Sequence, residues 1–339
     1  GSYELFLVAV VIAGLLQILL GILKAGVIGY FFPSSVIKGM LSAIGIIIFL
    51  KQIPLALGYE DGETPFAFFE TTGFDIYTGL VNMLNSVAPG VVFITVISLA
   101  ILLIWDKVLA KKHKAFKLIP GPLVAVVVGI IYMLIFQGSG SVFEITGANL
   151  VTVPVPDNVS EFLGQLTFPD FSQIGNSQVF IVAITIAVVA SLETLLSVEA
   201  TDKLDPAKRV TPTNRELVAQ GIGNTFSGLV GGLPITQVIV RSSANVMSGG
   251  KTKASTVMHG LLLLLSVILI PRFLNLIPLG VLAAVLLIIG YKLANPKQFF
   301  QMSKLGKTQF LPFLVTVVAI VATDLLVGIL LGLAVGIIT

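Results

Sequence analysis

Arg241 stands in the stretch GGLPITQVIVRSSANVMSGGKT and is the one arginine inside an apolar segment of this chain. An arginine at membrane depth is costly and by default marks a functional position. Gly231, Gly232 and Pro234 break the chain just before it, and residues 236–247 read as a half-helix. About twelve helical residues rise about 18 Å, well short of a hydrocarbon core about 30 Å thick. A helix that starts at depth turns free N–H groups and a positive dipole end inward, and Ser242 and Ser243 add hydroxyls. Together these groups suit an anion stripped of its water. Two other readings fit the same arginine: a structural pair with a buried carboxylate, or snorkelling to the interface.

Glu193, in VVASLETLLSVEATDKLD, lies about two turns inside its span, deeper than Glu199. A carboxylate there can carry a coupling proton, help hold a cation, or pair with Arg241. Ser191, Thr194 and Ser197 supply oxygens nearby, and Glu193 and Ser197, four apart, share one helix face. The run GIGNTFSGLVGGLP reads as close helix packing, with Asn224 and Thr225 in interhelical hydrogen bonds. His259 reads as a packing histidine, Lys38 as a snorkelling lysine and Asp324 as a helix cap. No phosphate loop, HExxH or GxSxG is present, so no enzyme chemistry is indicated. With 2 histidines and no cysteine, neither a metal site nor a cofactor is indicated.

These residues need a membrane to be buried in. The 339 residues are 56% hydrophobic and 11% charged, with mean hydropathy +1.03, whereas a soluble domain carries about 25% charged residues. The apolar runs give an all-α polytopic membrane protein of about eleven spans, near 4–23, 34–53, 91–106, 119–137, 177–199, 214–230, 236–247, 252–271, 278–294, 309–324 and 326–339. Of the 20 lysines and arginines, only Lys51 and Arg272 fall in loops on one side, and Lys38 and Arg241 fall within spans. All the others gather on the opposite side, including the run Lys111–Lys117. That bias makes the basic side cytoplasmic and puts the C-terminus inside, in a cytoplasmic membrane. The loops 54–90 and 138–176 are acidic and lie outside; the first reads as short interfacial helices.

An internal repeat is legible. PSSVIKGMLSAIG (33–45) and PLGVLAAVLLIIG (278–290) share Pro33/Pro278, Val36/Val281, Leu41/Leu286, Ile44/Ile289 and Gly45/Gly290. The two segments run in opposite directions through the membrane, the pattern of an inverted repeat. Four spans separate residue 177 from Pro278, yet one precedes Pro33. The first repeat is therefore short of about three helices, as if the chain were truncated at its N-terminus.

SLETLLSVEATDKLD, GIGNTFSGLVGGLP and RSSANVMSGGKTK closely resemble the sulfate permease family, also called solute carrier family 26, and the similarity runs over essentially the whole chain. The resemblance implies a uracil-transporter-like fold of seven helices plus seven in inverted repeat, of which this chain carries helices four to fourteen. Residues 1–32 would close the first core half and 33–137 form gate helices. An extracytoplasmic loop (138–176) would follow, then core helices with the half-helix (177–271) and gate helices again (278–339). It places Val240, Arg241 and Ser242 around the anion and Glu193 facing it, with Thr194 and Ser197 beside the coupling position. It implies secondary active transport of a small inorganic anion (sulfate, bicarbonate or a related species), coupled to protons or sodium, by elevator movement of core against gate, in a homodimer. The family's usual cytoplasmic STAS domain, which would follow Thr339, is not in the sequence, so the chain reads as a membrane domain without it. Competing readings are an uncoupled anion channel and a nucleobase transporter of the same fold; nothing suggests a nucleic-acid partner.

Overall fold

A computed structural model describes residues 3–27, 33–59, 87–109, 112, 116, 119–145, 147–156, 159–238, 241–242, 245–246, 249–323 and 325–339. The expected interfacial helices of 54–90 lie almost wholly outside these residues, as do Asp324, Val240 and Ser243. The described elements are helical: α1 (Tyr3–Ile22), α2 (Ser34–Leu57), α3 (Pro89–Ile104, continued by a π-turn Trp105–Leu109), α4 (Gly121–Phe136) and the short α5 (Val159–Gly164). Then come α6 (Ser177–Leu204), α7 (Thr213–Leu229), the half-helix, α8 (Ala254–Leu269) and a turn α9 (Pro271–Leu274). The chain closes with α10 (Leu279–Ala294), α11 (Pro296–Lys304), α12 (Lys307–Ala322) and α13 (Leu325–Ile338). Every predicted span except 236–247 therefore coincides with a described helix. α1, α2, α3, α6 and the joined α10–α11 are each long and apolar enough to cross a membrane.

The helices pack in two groups. In one, α1 lies along α7 and against α6; in the other, α2 joins α10, α12 and α13, and α3 joins α10 and α4. No hydrophobic force draws helices together in lipid, so close van der Waals approach must do it, and small residues permit that. Glycines line the seams accordingly. Gly14 and Gly21 of α1 face Gly221 and Val218 of α7. A methyl added to Gly45 of α2 would stand 2.7 Å from the Gly290 carbonyl of α10, and one on Gly290 would stand 2.8 Å from the Gly45 carbonyl. These are the two glycines matched by the sequence repeat. The repeat also starts alike at both copies: Pro33 (φ −57°, ψ 134°) and Pro278 (φ −66°, ψ 134°) occupy the N-cap of α2 and of α10.

A hydrophobic cluster joins the two groups. Leu192 and Leu196 of α6 bury against Val36 and Met40 of α2, Phe313 of α12 and Ile329 of α13. α8 behaves differently from expectation. It has no buried residue, and His259, read from sequence as a packed histidine, is exposed. Among the described residues its principal neighbour is the turn α9 that follows it, so its apolar surface stays open on all sides.

Candidate functional site

The site lies where α7 gives way to the half-helix. α7 ends at Leu229, and residues 232–238 are non-helical. Non-helical backbone at membrane depth survives only where its polar groups find partners in protein, and here side chains of α6 and α7 provide them. Ile235 N–H donates to Asn224 Oδ1 (2.6 Å), and Gln237 N–H donates to Thr194 Oγ1 (3.1 Å). The Ile235 carbonyl accepts from Gln220 Nε2 (3.1 Å), which also donates to the Ala190 carbonyl (3.1 Å). Ser227 Oγ donates to the Leu233 carbonyl (2.7 Å).

These side chains are themselves held. Asn224 is fully buried and donates through Nδ2 to Gln17 Oε1 of α1 (2.7 Å). Gln17, also fully buried, donates through Nε2 to Ser191 Oγ of α6 (3.3 Å). Three helices thus converge on one non-helical segment, and the sequence run expected to be plain packing does both jobs: its glycines seat α1, and Asn224 fixes the unwound backbone. Gln17, Gln220 and Gln237 escaped the sequence reading. Gln17, the lone amide of LLQILLG, carried a usable signal, because an amide in an apolar span needs a partner there.

The half-helix starts later than the sequence suggested. Its first described helical hydrogen bond runs from Ser242 N–H to the Val238 carbonyl (3.1 Å), so Thr236 and Gln237 belong to the non-helical segment, not to a helix from 236. Asn224 holds the N–H of Ile235 and Thr194 that of Gln237. The helix closes in a Schellman arrangement: Gly250 N–H donates to the Asn245 carbonyl (2.9 Å), Gly249 N–H to the Val246 carbonyl (3.0 Å), and Gly249 takes φ +89°.

Arg241 falls in the first turn of this half-helix and is exposed; Ser242 beside it is half-buried. Among the described residues Arg241 has no carboxylate partner. Glu193 is half-buried on α6 and accepts a hydrogen bond from the Thr236 side chain, so the two charges are not spent on each other. Thr194 is fully buried with its hydroxyl engaged by Gln237, and Ser197 is buried on the same helix. A cation near a helix N-terminus opposes the dipole there. Arg241 and the dipole end therefore add their positive fields at one place, and an anion relieves both.

Beyond the site, the turn after α6 is clamped. Asp205 accepts from Arg209 Nε (2.7 Å) and Nη2 (3.1 Å), and Arg209 Nη1 donates to the Lys251 carbonyl (3.0 Å) just past the half-helix. The Arg209 guanidinium holds the Asp205 carboxyl below the usual carboxylate range. Asp202 accepts from both the N–H and the hydroxyl of Thr211 (2.7 Å each).

The profile of the Sulfate permease family matches residues 2–316. The chain belongs to that family. Relatives in that family carry the names of transporters. Among sulfate permease relatives, YvdB of Bacillus subtilis, whose name proposes a sulfate transporter, is 29% identical over 332 residues, covering 97% of this chain and 58% of that protein. The bicarbonate transporter BicA of Picosynechococcus is 29% identical over 285 residues, covering 83% of this chain and 45% of BicA. The chain thus spans about half the length of the curated relatives it matches. The solved transmembrane domain of a cyanobacterium bicarbonate transporter BicA superposes with a TM-score of 0.73 at 25% identity, over 97% of this chain and 76% of that one.

Proposed function

We propose that the protein carries a small inorganic anion across the membrane, with sulfate and bicarbonate as the leading substrates, and that the anion binds at the start of the half-helix. The observation that carries this reading is Arg241: a positive side chain in the first turn of a broken helix, without a carboxylate partner among the described residues. Val240, Ser242 and Ser243 flank it in sequence. The names of YvdB and BicA support the two substrates. Glu193 is assigned to coupling, with Thr194 and Ser197 behind it on α6. Its carboxylate is half-buried and bonded to Thr236, in the segment leading into Arg241. The group holding α1, α6, α7 and the half-helix is the moving core, and the group around α2, α10 and α12 is the gate.

The test uses the full-length protein in vesicles, with labelled sulfate and labelled bicarbonate as separate substrates. Arg241→Ala is expected to lower uptake by about tenfold or more, the scale of one lost charge-assisted contact. Glu193→Gln is expected to keep anion exchange but abolish its response to an imposed proton or sodium gradient. Unchanged uptake in Arg241→Ala would refute the binding role. Parent uptake that ignores both gradients would replace the coupled transporter with a channel.

A further inference from the structure

A cavity with two lysines in its walls lies away from the half-helix, at the basic end of the bundle. It holds about 520 Å3 between the start of α2 and the amphipathic helix α11, and its walls include Lys38, Lys304, Asn295, Gln298, Gln301 and Met302. No carboxylate is among its lining residues. Lys38 is half-buried, and among the described residues its ammonium finds the Met302 thioether, a weak acceptor, at 3.9 Å. Lys304 lies over the Phe300 ring at 4.3 Å and has no carboxylate partner among the described residues. The contrast with Lys292 on the neighbouring helix is direct, because that lysine is paired with Asp106. Asn295 spends its carbonyl oxygen capping α11 at Lys297 N–H, which leaves its amide N–H groups to give. The cavity thus offers amide and ammonium donors, and two ammonium groups set its charge.

What surrounds the cavity says where its ligand comes from. Phe300, Leu305 and Tyr291 are 62%, 59% and 61% exposed at the same end. Large apolar and aromatic side chains exposed beside lysines are the pattern of a membrane surface. We propose that this cavity binds a phosphate group, that of an anionic phospholipid head group, with Lys38 and Lys304 on the phosphate oxygens and Gln298 and Gln301 on the rest of the head group. The volume falls within the range of ligand pockets, about 300–1,000 Å3. Lys38, read from sequence as merely snorkelling, becomes the deeper of two ligands.

The experiment is native mass spectrometry of the full-length protein, delipidated and then titrated with phosphatidylglycerol or phosphatidylcholine, with and without excess inorganic phosphate. The parent is expected to prefer phosphatidylglycerol. Each lysine near a membrane surface contributes about fivefold, so Lys38→Gln with Lys304→Gln should erase the preference. Lys38→Arg and the off-cavity control Lys297→Gln should retain it. Lys304→Gln alone, at an exposed side chain, should weaken it about fivefold and serves if the double variant does not fold. Displacement by inorganic phosphate, lost in the same variants, supports a phosphate site that also draws from solution. Equal retention of the two lipids by the parent, or a preference that survives the double variant, overturns the proposal.

Discussion

Asn224 bears a heavier structural duty than any charged residue of the site. It links Gln17 on α1 to the Ile235 N–H of the unwound segment. Asn224→Ala leaves the buried Gln17 Oε1 without this partner, at about 1–3 kcal/mol, and frees the part-buried Ile235 N–H. The expected outcome is a lowered melting temperature in detergent together with lost uptake, whereas Arg241→Ala should lose uptake with its melting temperature nearly unchanged. A thermal melt run beside the vesicle assay separates positioning from binding. Asp205 makes a pH prediction of stated sign. Its folded carboxyl sits below the ordinary value because Arg209 bonds it, so the clamp contributes fully above the unfolded value of about 3.9 and fades as pH falls through the lower folded one. The melting difference between parent and Asp205→Asn, followed by the fluorescence of Trp105, should be constant from pH 5 to 8 and shrink only in strong acid.

At the scale of elements, the matched glycines predict a steep steric response. Gly290→Leu drives a branched chain into the Gly45 carbonyl and the Phe49 backbone. Overpacking of this kind typically costs about 1–3 kcal/mol, and the loss should show as a lower yield of folded protein by size-exclusion chromatography. Gly260→Leu, on α8 where nothing lies within 4 Å of an added methyl, should be tolerated. The spans, the repeat and the break before Arg241 were all legible in the sequence, because apolar run length and glycine or proline punctuation act locally. The register of the half-helix was not. It is set by Thr194 and Asn224, which are distant in sequence, and a 3.6-residue period cannot report a hydrogen bond from another helix. His259 was misread for a related reason: an apolar helix reads the same whether protein or lipid covers it.

At the scale of the molecule, the asymmetry of lysine and arginine predicts the orientation. Because this chain contains no cysteine, single substitutions report without background from it. Ser139→Cys, in an acidic loop, should react with a membrane-impermeant maleimide added to intact cells. Lys112→Cys, in the basic run, should react only after the membrane is opened. The reverse pattern would invert the assigned topology.

The two helix groups differ in how they are joined within and between. Within each, glycines bring backbone against backbone, and in the smaller group buried amides lock helix to helix. Between them stand Leu192 and Leu196 against Val36, Met40, Phe313 and Ile329. Backbone seams act as keyed joints, with one register and no neighbouring position of similar energy. A layer of flexible aliphatic chains acts as a bearing, since each can exchange one apolar neighbour for another at little cost. The chain thus sets glycine where helices of one group meet and leucine where the two groups meet, and the proposed movement of core against gate would run along that leucine layer.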